Sequence, residues 1–335
     1  MNFLPHDTLV GYARTAVDLR ARMIDYNSSP IAMSYLEALF EGMPAEYGTM
    51  TPDLLTAMHN VTGSPWRVGE PYIVAPAMTA IIAAAAQALD LTGEVLPDDI
   101  APDDQGVVFF PEPLYHRGHT GKVSSIGAIT WARITSTSGQ ASWIVAGWAD
   151  QHDPHDPSVA RRRADLAARP DLARQLGPYY TEIPIGRPVE HPGQPVVDDS
   201  DHDWEPAPDG RFCIDEVTAR TRGCTAIAYA FWCIQAQPLA VVAAAPMDRP
   251  ARRRAARAAI RHDTRVVMLR RTGPIAEPGD GDPKWHYRVR FVVRGHWRRL
   301  TDRDGNPYRI WINAHIKGPD GAPLLHGEKV AVLAR

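Results

Sequence analysis

Residues Trp285 to Val293 alternate, and the alternation limits what this part of the chain can become. Trp285, Tyr287, Val289, Phe291 and Val293 fall on one face of an extended chain, and His286, Arg288, Arg290 and Val292 on the other. A period of two with aromatic and β-branched residues marks a half-buried strand. Arg294-Gly295 re-aims the strand, as a glycine bulge does. Thr301 to Pro307 is turn chemistry: Asp304-Gly305 tolerates positive φ and Pro307 interrupts pairing. A second strand follows, with Ile310, Ile312 and Ala314 on one side and Trp311, Asn313 and His315 on the other. The two strands are predicted to form an antiparallel hairpin. Gly318 to Pro323 is a further turn, and Lys329 to Leu333 a short last strand.

The polar face of this hairpin collects Arg288, Arg290, Arg294, Arg298 or Arg299, and Lys317, with His296 and His315 nearby. One reading is a basic platform for phosphate, with Trp297 and Trp311 available for base stacking. The other is a solvated sheet face whose charges serve solubility. His296 and His315 with Arg298 also suit acid–base cleavage of a phosphodiester, the histidines moving protons and the cation holding the developing charge. Against that stands the ordinary role of histidines hydrogen-bonded to near neighbours.

Charge is distributed unevenly. The net charge of −3 combines 36 Lys+Arg with 39 Asp+Glu. Residues 246–335 hold 20 basic and 9 acidic residues, a balance of +11. Residues 1–245 therefore hold 36 − 20 = 16 basic and 39 − 9 = 30 acidic, a balance of −14. Such a split implies either an end that faces a polyanion or two oppositely charged parts that pack on each other. The segment from Arg249 to Arg261 reads as a basic, Ala-rich helix. Arg252, Arg253 and Arg257 on it suit phosphate, because a guanidinium fork binds two oxygens at once. Affinity of this kind falls steeply with salt and is blind to sequence.

The expected class is α+β, in three parts. Residues 1–65 read as a helical N-terminal region: Asp7 caps a first helix, Ser29-Pro30 starts a second, and Thr51-Pro52-Asp53 a third. Its blander role is a helical subdomain or a dimerising arm, the second of which would make a homo-oligomer. Residues 66–245 read as a mixed α/β core, with strands at 71–75, 106–110, 123–135 and 141–149, an Ala-rich helix from Pro76, and a helix opened by Asp215. A Pro- and acid-rich loop, 177–210, interrupts it. Residues 246–335 form the basic helix with the small antiparallel β module.

No dinucleotide or Walker-type glycine loop follows a strand, and no nucleophile elbow occurs. His152 with His155, His116 with His119, and Asp198 to Asp203 carry metal-ligand chemistry, but each sits in a loop without a third ligand set by spacing. No metal or cofactor is assigned. Cys213, Cys224 and Cys233 make no paired framework, which favours a reducing compartment. The N-terminus lacks a signal-peptide pattern and no apolar run reaches about 20 residues, so the expectation is a cytoplasmic protein off the membrane.

Val293-Arg-Gly-His-Trp-Arg-Arg299, Arg309-Ile-Trp-Ile312, His315-Ile-Lys-Gly-Pro319 and Ala322-Pro-Leu324 resemble the C-terminal module of uncharacterised proteins from actinobacterial genomes and their mobile elements. The resemblance covers roughly the last 70 residues and implies an actinobacterial, cytoplasmic, phage- or plasmid-borne protein. It brings no catalytic residue with it. Three functions follow: a nucleic-acid-associated protein that binds phosphate through its basic end, a phosphodiesterase using His296 and His315, or a protein-interaction module that binds no nucleic acid.

Overall fold

The computed structural model describes residues 8–41, 51–90, 99–117, 123–135, 141–153, 161, 164–181, 213–215, 223–270, 291–293, 295–305, 307–313 and 315–317. Its centre is a mixed sheet. The strands are β1 (Glu70–Val74), β2 (Gln105–Arg117), β3 (Val123–Thr135), β4 (Ala141–Asp150), β5 (Tyr179–Thr181), β6 (Cys213–Asp215), β7 (Ala240–Ala245) and β8 (Thr264–Leu269). Their order is β5-β4-β3-β2-β1-β8-β7, with β6 pairing the far end of β2. The three central strands β2, β1 and β8 run parallel, and the flanking pairs are antiparallel. Parallel strands are covered on both faces and so read as continuous apolar runs. Tyr72-Ile-Val74, Val107-Val-Phe-Phe110 and Val266-Val267 are such runs, each fully buried.

Alternation along these strands builds two cores. Ile73, Val107, Phe109, Ala128, Trp148 and Val266 face one side. Against them lie α1 (Leu9–Asn27) and α3 (Pro52–Val68), with α2 (Pro30–Glu41) completing the layer over β4 through Leu36, Leu55 and Ile144. Trp66 sits at the centre of this side, 5.2 Å from Trp148 and 5.9 Å from Phe109 between ring centroids. Tyr72, Val74, Val108, Trp131, Trp143 and Val267 face the other side. There they meet α4 (Pro76–Gln87) and α6 (Gly223–Gln235), the latter through Phe231 and Trp232. A short helix α5 (Pro170–Gln175) leads into the edge strand β5. The class is α+β, as the sequence indicates, built as helices on both faces of one sheet.

Several local expectations change. Thr8, not Asp7, caps α1: its hydroxyl accepts from the Gly11 N–H. The Ser29 hydroxyl donates back to the Tyr26 carbonyl at the end of α1. Thr51 caps α3 as expected, accepting from Leu54 N–H at 3.2 Å. α3 runs through Pro65 to Val68, because only the carbonyl four residues back loses its partner. Asp215 closes a strand rather than opening a helix, and α6 is described over Gly223–Gln235. Residues Ala240 to Ala245 form β7, a strand hidden in the sequence by its alanines. β8 belongs by sequence to the C-terminal part, yet it lies between β1 and β7 in the central sheet.

The C-terminal ribbon carries β9 (Phe291–Val293), β10 (His296–Thr301), β11 (Pro307–Ile312) and β12 (His315–Lys317). β10 pairs with β11 and β9 with β12, both antiparallel. His296 opposes Ile312 and Val293 opposes His315, so one register continues through both ladders. The hairpin is therefore centred on the Asp302–Gly305 turn, with strand Phe291–Val293 pairing below the break at Gly295 rather than forming the main ladder. Residues 285–290 lie outside the described residues.

Candidate nucleic-acid interface

The basic helix forms as α7 (Arg249–Arg257). Asp248 caps it, its Oδ1 accepting from the Ala251 N–H at 2.9 Å, and Pro250 stands in the first turn, where its missing N–H is not needed. Ala251 and Ala255, one turn apart, are its buried side, packed with Ile260 against α1 and the sheet. At its C-terminus the Ile260 N–H reaches the Ala255 carbonyl at 2.9 Å and the Ala259 N–H reaches that of Ala256, a Schellman turn. Ala259 takes the left-handed position, φ 53°.

Helix geometry sends Arg249, Arg253 and Arg257 to the face opposite Ala251 and Ala255, about 6 Å apart along the axis. All three are exposed, and none has an ion pair among the described residues. Arg252 flanks the row and is exposed as well. Arg254 points elsewhere: its guanidinium lies 2.5 Å from Asp18 of α1. In return Arg14 of α1 donates through Nε to Asp248 at 3.1 Å, with a second, shorter contact through its other nitrogen. The Ala251 N–H first, and Arg14 second, hold the Asp248 carboxyl below its ordinary range. Part of the basic end thus pairs with the acidic half, and part faces solvent. Arg249 was not among the sequence candidates; its spacing of four from Arg253 is the signal that identifies it.

The ribbon lies on the other side of the sheet. Trp311 is buried in the core that contains Tyr72 and Val108, and Trp297 packs on it at 5.4 Å and on Tyr229 at 6.4 Å. The Trp297 indole N–H donates to the Ala85 carbonyl at 2.9 Å, and the Trp311 backbone N–H donates to Gln237 Oε1 at 3.0 Å. Arg309 donates to the Asp90 carbonyl at 2.7 Å, beyond the end of α4. The two tryptophans expected to stack on bases are anchors of the ribbon instead. Trp311 is buried, and Trp297 is half-buried with its indole N–H taken up by the Ala85 carbonyl.

His296, Arg298 and Arg299 are exposed on β10. The register gives His296 the parity of Arg298 and Ile312, and His315 the parity of Trp297 and Trp311. Lys317 opposes Phe291 in the same ladder. Arg288, Arg290 and Arg294 lie outside the described residues. Among the described residues, α7 and the ribbon are anchored in opposite cores, α7 through Ala255 and the ribbon through Trp311.

Among the described residues no group of histidine, cysteine and acid side chains is arranged to hold a metal. The His152 N–H donates to Asp150 Oδ1 at 2.7 Å in a tight turn. His155, His119 and Asp198 to Asp203 lie outside the described residues. No helix among the described residues is long and apolar enough to cross a membrane.

No protein-family model matches the chain, and no curated protein matches its sequence. Among solved structures, the crystal structure of AcrVA2 is similar over 84% of this chain and 82% of that one, with 12% identity and a TM-score of 0.35. A likeness that loose assigns no activity, so the functional reading rests on the residues of this chain.

Proposed function

We propose that the protein binds nucleic acid through the outer face of α7, with Arg249, Arg253 and Arg257 contacting successive phosphates and Arg252 beside them. One observation carries this reading: three arginines stand in a row on solvent, without carboxylate partners among the described residues, although α1 next to them supplies Asp18 to Arg254. Contacts of this kind position a backbone without reading its sequence. The ribbon's exposed His296, Arg298 and Arg299 are a separate basic surface in this reading, on the far side of the sheet. A cytoplasmic setting in an actinobacterial mobile element belongs to the same proposal, motivated by the C-terminal sequence likeness.

The test is the mobility of mixed-sequence DNA and RNA with full-length protein over a range of salt. Binding at low salt that weakens log-linearly is expected. Replacing Arg249, Arg253 and Arg257 together by Gln should lower the salt slope by roughly 2 to 3 on duplex DNA, at about 0.9 per phosphate. Absence of binding at low salt overturns the proposal and leaves a protein-interaction role. Cleavage of RNA by the wild type but not by His296→Ala would instead restore the phosphodiesterase reading.

A further inference from the structure

The helix that carries the arginine row is held stiffly. Asp248 caps one end of α7, and the Schellman turn at Ala259 closes the other. Ala251 and Ala255 are buried beneath it. Two ion pairs, Arg254 with Asp18 and Arg14 with Asp248, tie it to α1. At about 1.5 Å per residue, Arg249, Arg253 and Arg257 occupy roughly 12 Å of one axis. The backbone beneath them has little freedom to follow a bending chain.

Charge along this row has one sign. The two carboxylates bound to the helix, Asp18 and Asp248, are taken by Arg254 and Arg14. Arg249, Arg253 and Arg257 stay on solvent without an ion pair among the described residues, and Arg252 is exposed beside them. Aromatic side chains do not join them. The segment from Arg249 to Arg261 contains none, and Tyr12 and Tyr26 of the neighbouring α1 are buried. Tyr308 is 46% exposed, but it belongs to the ribbon, which is anchored in the opposite core.

These features separate the two forms in which a phosphate chain is met. A single strand is flexible, and proteins hold it by stacking its bases on aromatic rings beside a cationic groove. Laid along α7, a strand loses freedom with no ring among the described residues to offset the loss. A duplex is stiff over about 150 base pairs, so its phosphates are already in place. It also presents one charge per ~1.7 Å of axis, twice the density of one strand. Over the length of the row that is about seven phosphate charges. A rigid row of cations thus meets a rigid lattice of anions, and neither has to be ordered first.

We infer that the α7 row takes double-stranded nucleic acid in preference to single strands, gripping the backbone from outside. The inference rests on the binding role proposed above for the same helix and adds the form of the partner. DNA and RNA duplexes share this phosphate chemistry, so both are arms of the test.

The measurement is fluorescence anisotropy with full-length protein at one low salt concentration, repeated as salt is raised. The probes are a labelled short DNA duplex, the RNA duplex of the same sequence, and their separate strands. A duplex is expected to bind about tenfold tighter than its strands, ~1.4 kcal/mol. Its salt dependence should be steeper, about 0.9 against 0.7 per phosphate contacted. Replacing Arg249, Arg253 and Arg257 together by Gln should bring duplex and strand to similar, weak binding. All three are exposed, so the variant keeps its fold. Tyr308→Ala should leave duplex affinity unchanged.

Strands that bind as tightly as the duplex, and lose affinity in the Gln variant, overturn this inference and leave the α7 reading in place. A duplex preference that survives in the Gln variant also overturns it, because another surface then makes the choice. A preference shown by one duplex alone supports it and assigns the sugar. No binding of any probe ends the α7 reading, and this inference with it.

Discussion

Arg20 is fully buried in the apolar layer between α1 and the sheet. Its guanidinium donates to the carbonyls of Trp66, Arg67 and Gly69, at 2.8, 3.2 and 2.9 Å. These carbonyls end α3, where no further turn supplies partners and where a cation meets the negative end of the helix. Burial pulls the arginine down to about 10, and Glu70 works against that shift, so it stays charged at neutral pH. Arg20→Met would leave those carbonyls without their donor in an apolar site. The expected loss is on the order of 3 kcal/mol, read from chemical denaturation; a loss under about 1 kcal/mol would refute the role. Sequence alone could not identify this residue, since an arginine among Leu19, Ala21 and Met23 looks like the solvated side of a helix.

Cys233 gives a second prediction at this scale. Burial pushes its thiol up to about 12 from an ordinary 9.0, against opposing effects of Tyr229 and Arg309. A raised folded value means the contribution to stability is complete below about pH 9 and is lost as pH climbs toward 12. Denaturation midpoints followed from about pH 8 to about pH 11 should decline less steeply in Cys233→Ala than in wild type. Parallel declines would show that the thiol plays no part.

Among the elements, α7 and its turn are the most instructive. A basic helix is legible from composition and spacing, but that reading runs on to Arg261 where the helix ends at Arg257, and its cap at Asp248 and its buried side at Ala251 and Ala255 came only with the structure. The turn after it is not legible, because Ala259 occupies a left-handed position where glycine is usual. Ala259→Gly relieves the Cβ crowding at that position and, net of the added freedom of the unfolded chain, should raise stability by about 0.5–1 kcal/mol. A destabilised variant would contradict the observed geometry. β7 shows the opposite difficulty. Ala240-Val-Val-Ala-Ala-Ala245 carries helix-favouring alanines, and only pairing with β8 makes it a strand. The ribbon was legible as a hairpin from Asp304-Gly305, but its inward face was not, since a strand's period names two faces and not which one a core will cover.

Taken whole, the molecule has segments far apart in sequence within one sheet. β8 lies between β1 and β7, and α7 is joined to α1 by Arg254–Asp18 and Arg14–Asp248. A chain stopped after Ala245 would lose β8, leaving β1 paired on one side only, β7 without its partner, and Val266 and Val267 missing from the two cores. Such a chain should show no cooperative thermal unfolding by circular dichroism; a sharp transition would mean that residues 1–245 fold independently. The ion pairs themselves are partly exposed, so a double-mutant cycle on Asp18 and Arg254 should return only about 0.2–1 kcal/mol.

The sequence by itself determined the α+β class, the central strands and helices, the caps at Thr51 and the concentration of cations near the C-terminus. Those depend on local periodicity, cap chemistry and composition, which neighbouring residues carry among themselves. Tertiary structure alone decided which cations meet carboxylates and which meet water, which face of the ribbon is buried, and that His262 is held beside Glu70, 192 positions earlier in the chain. Ion pairing and burial depend on distances between residues remote in sequence, and those distances exist only once the sheet has closed around its two cores.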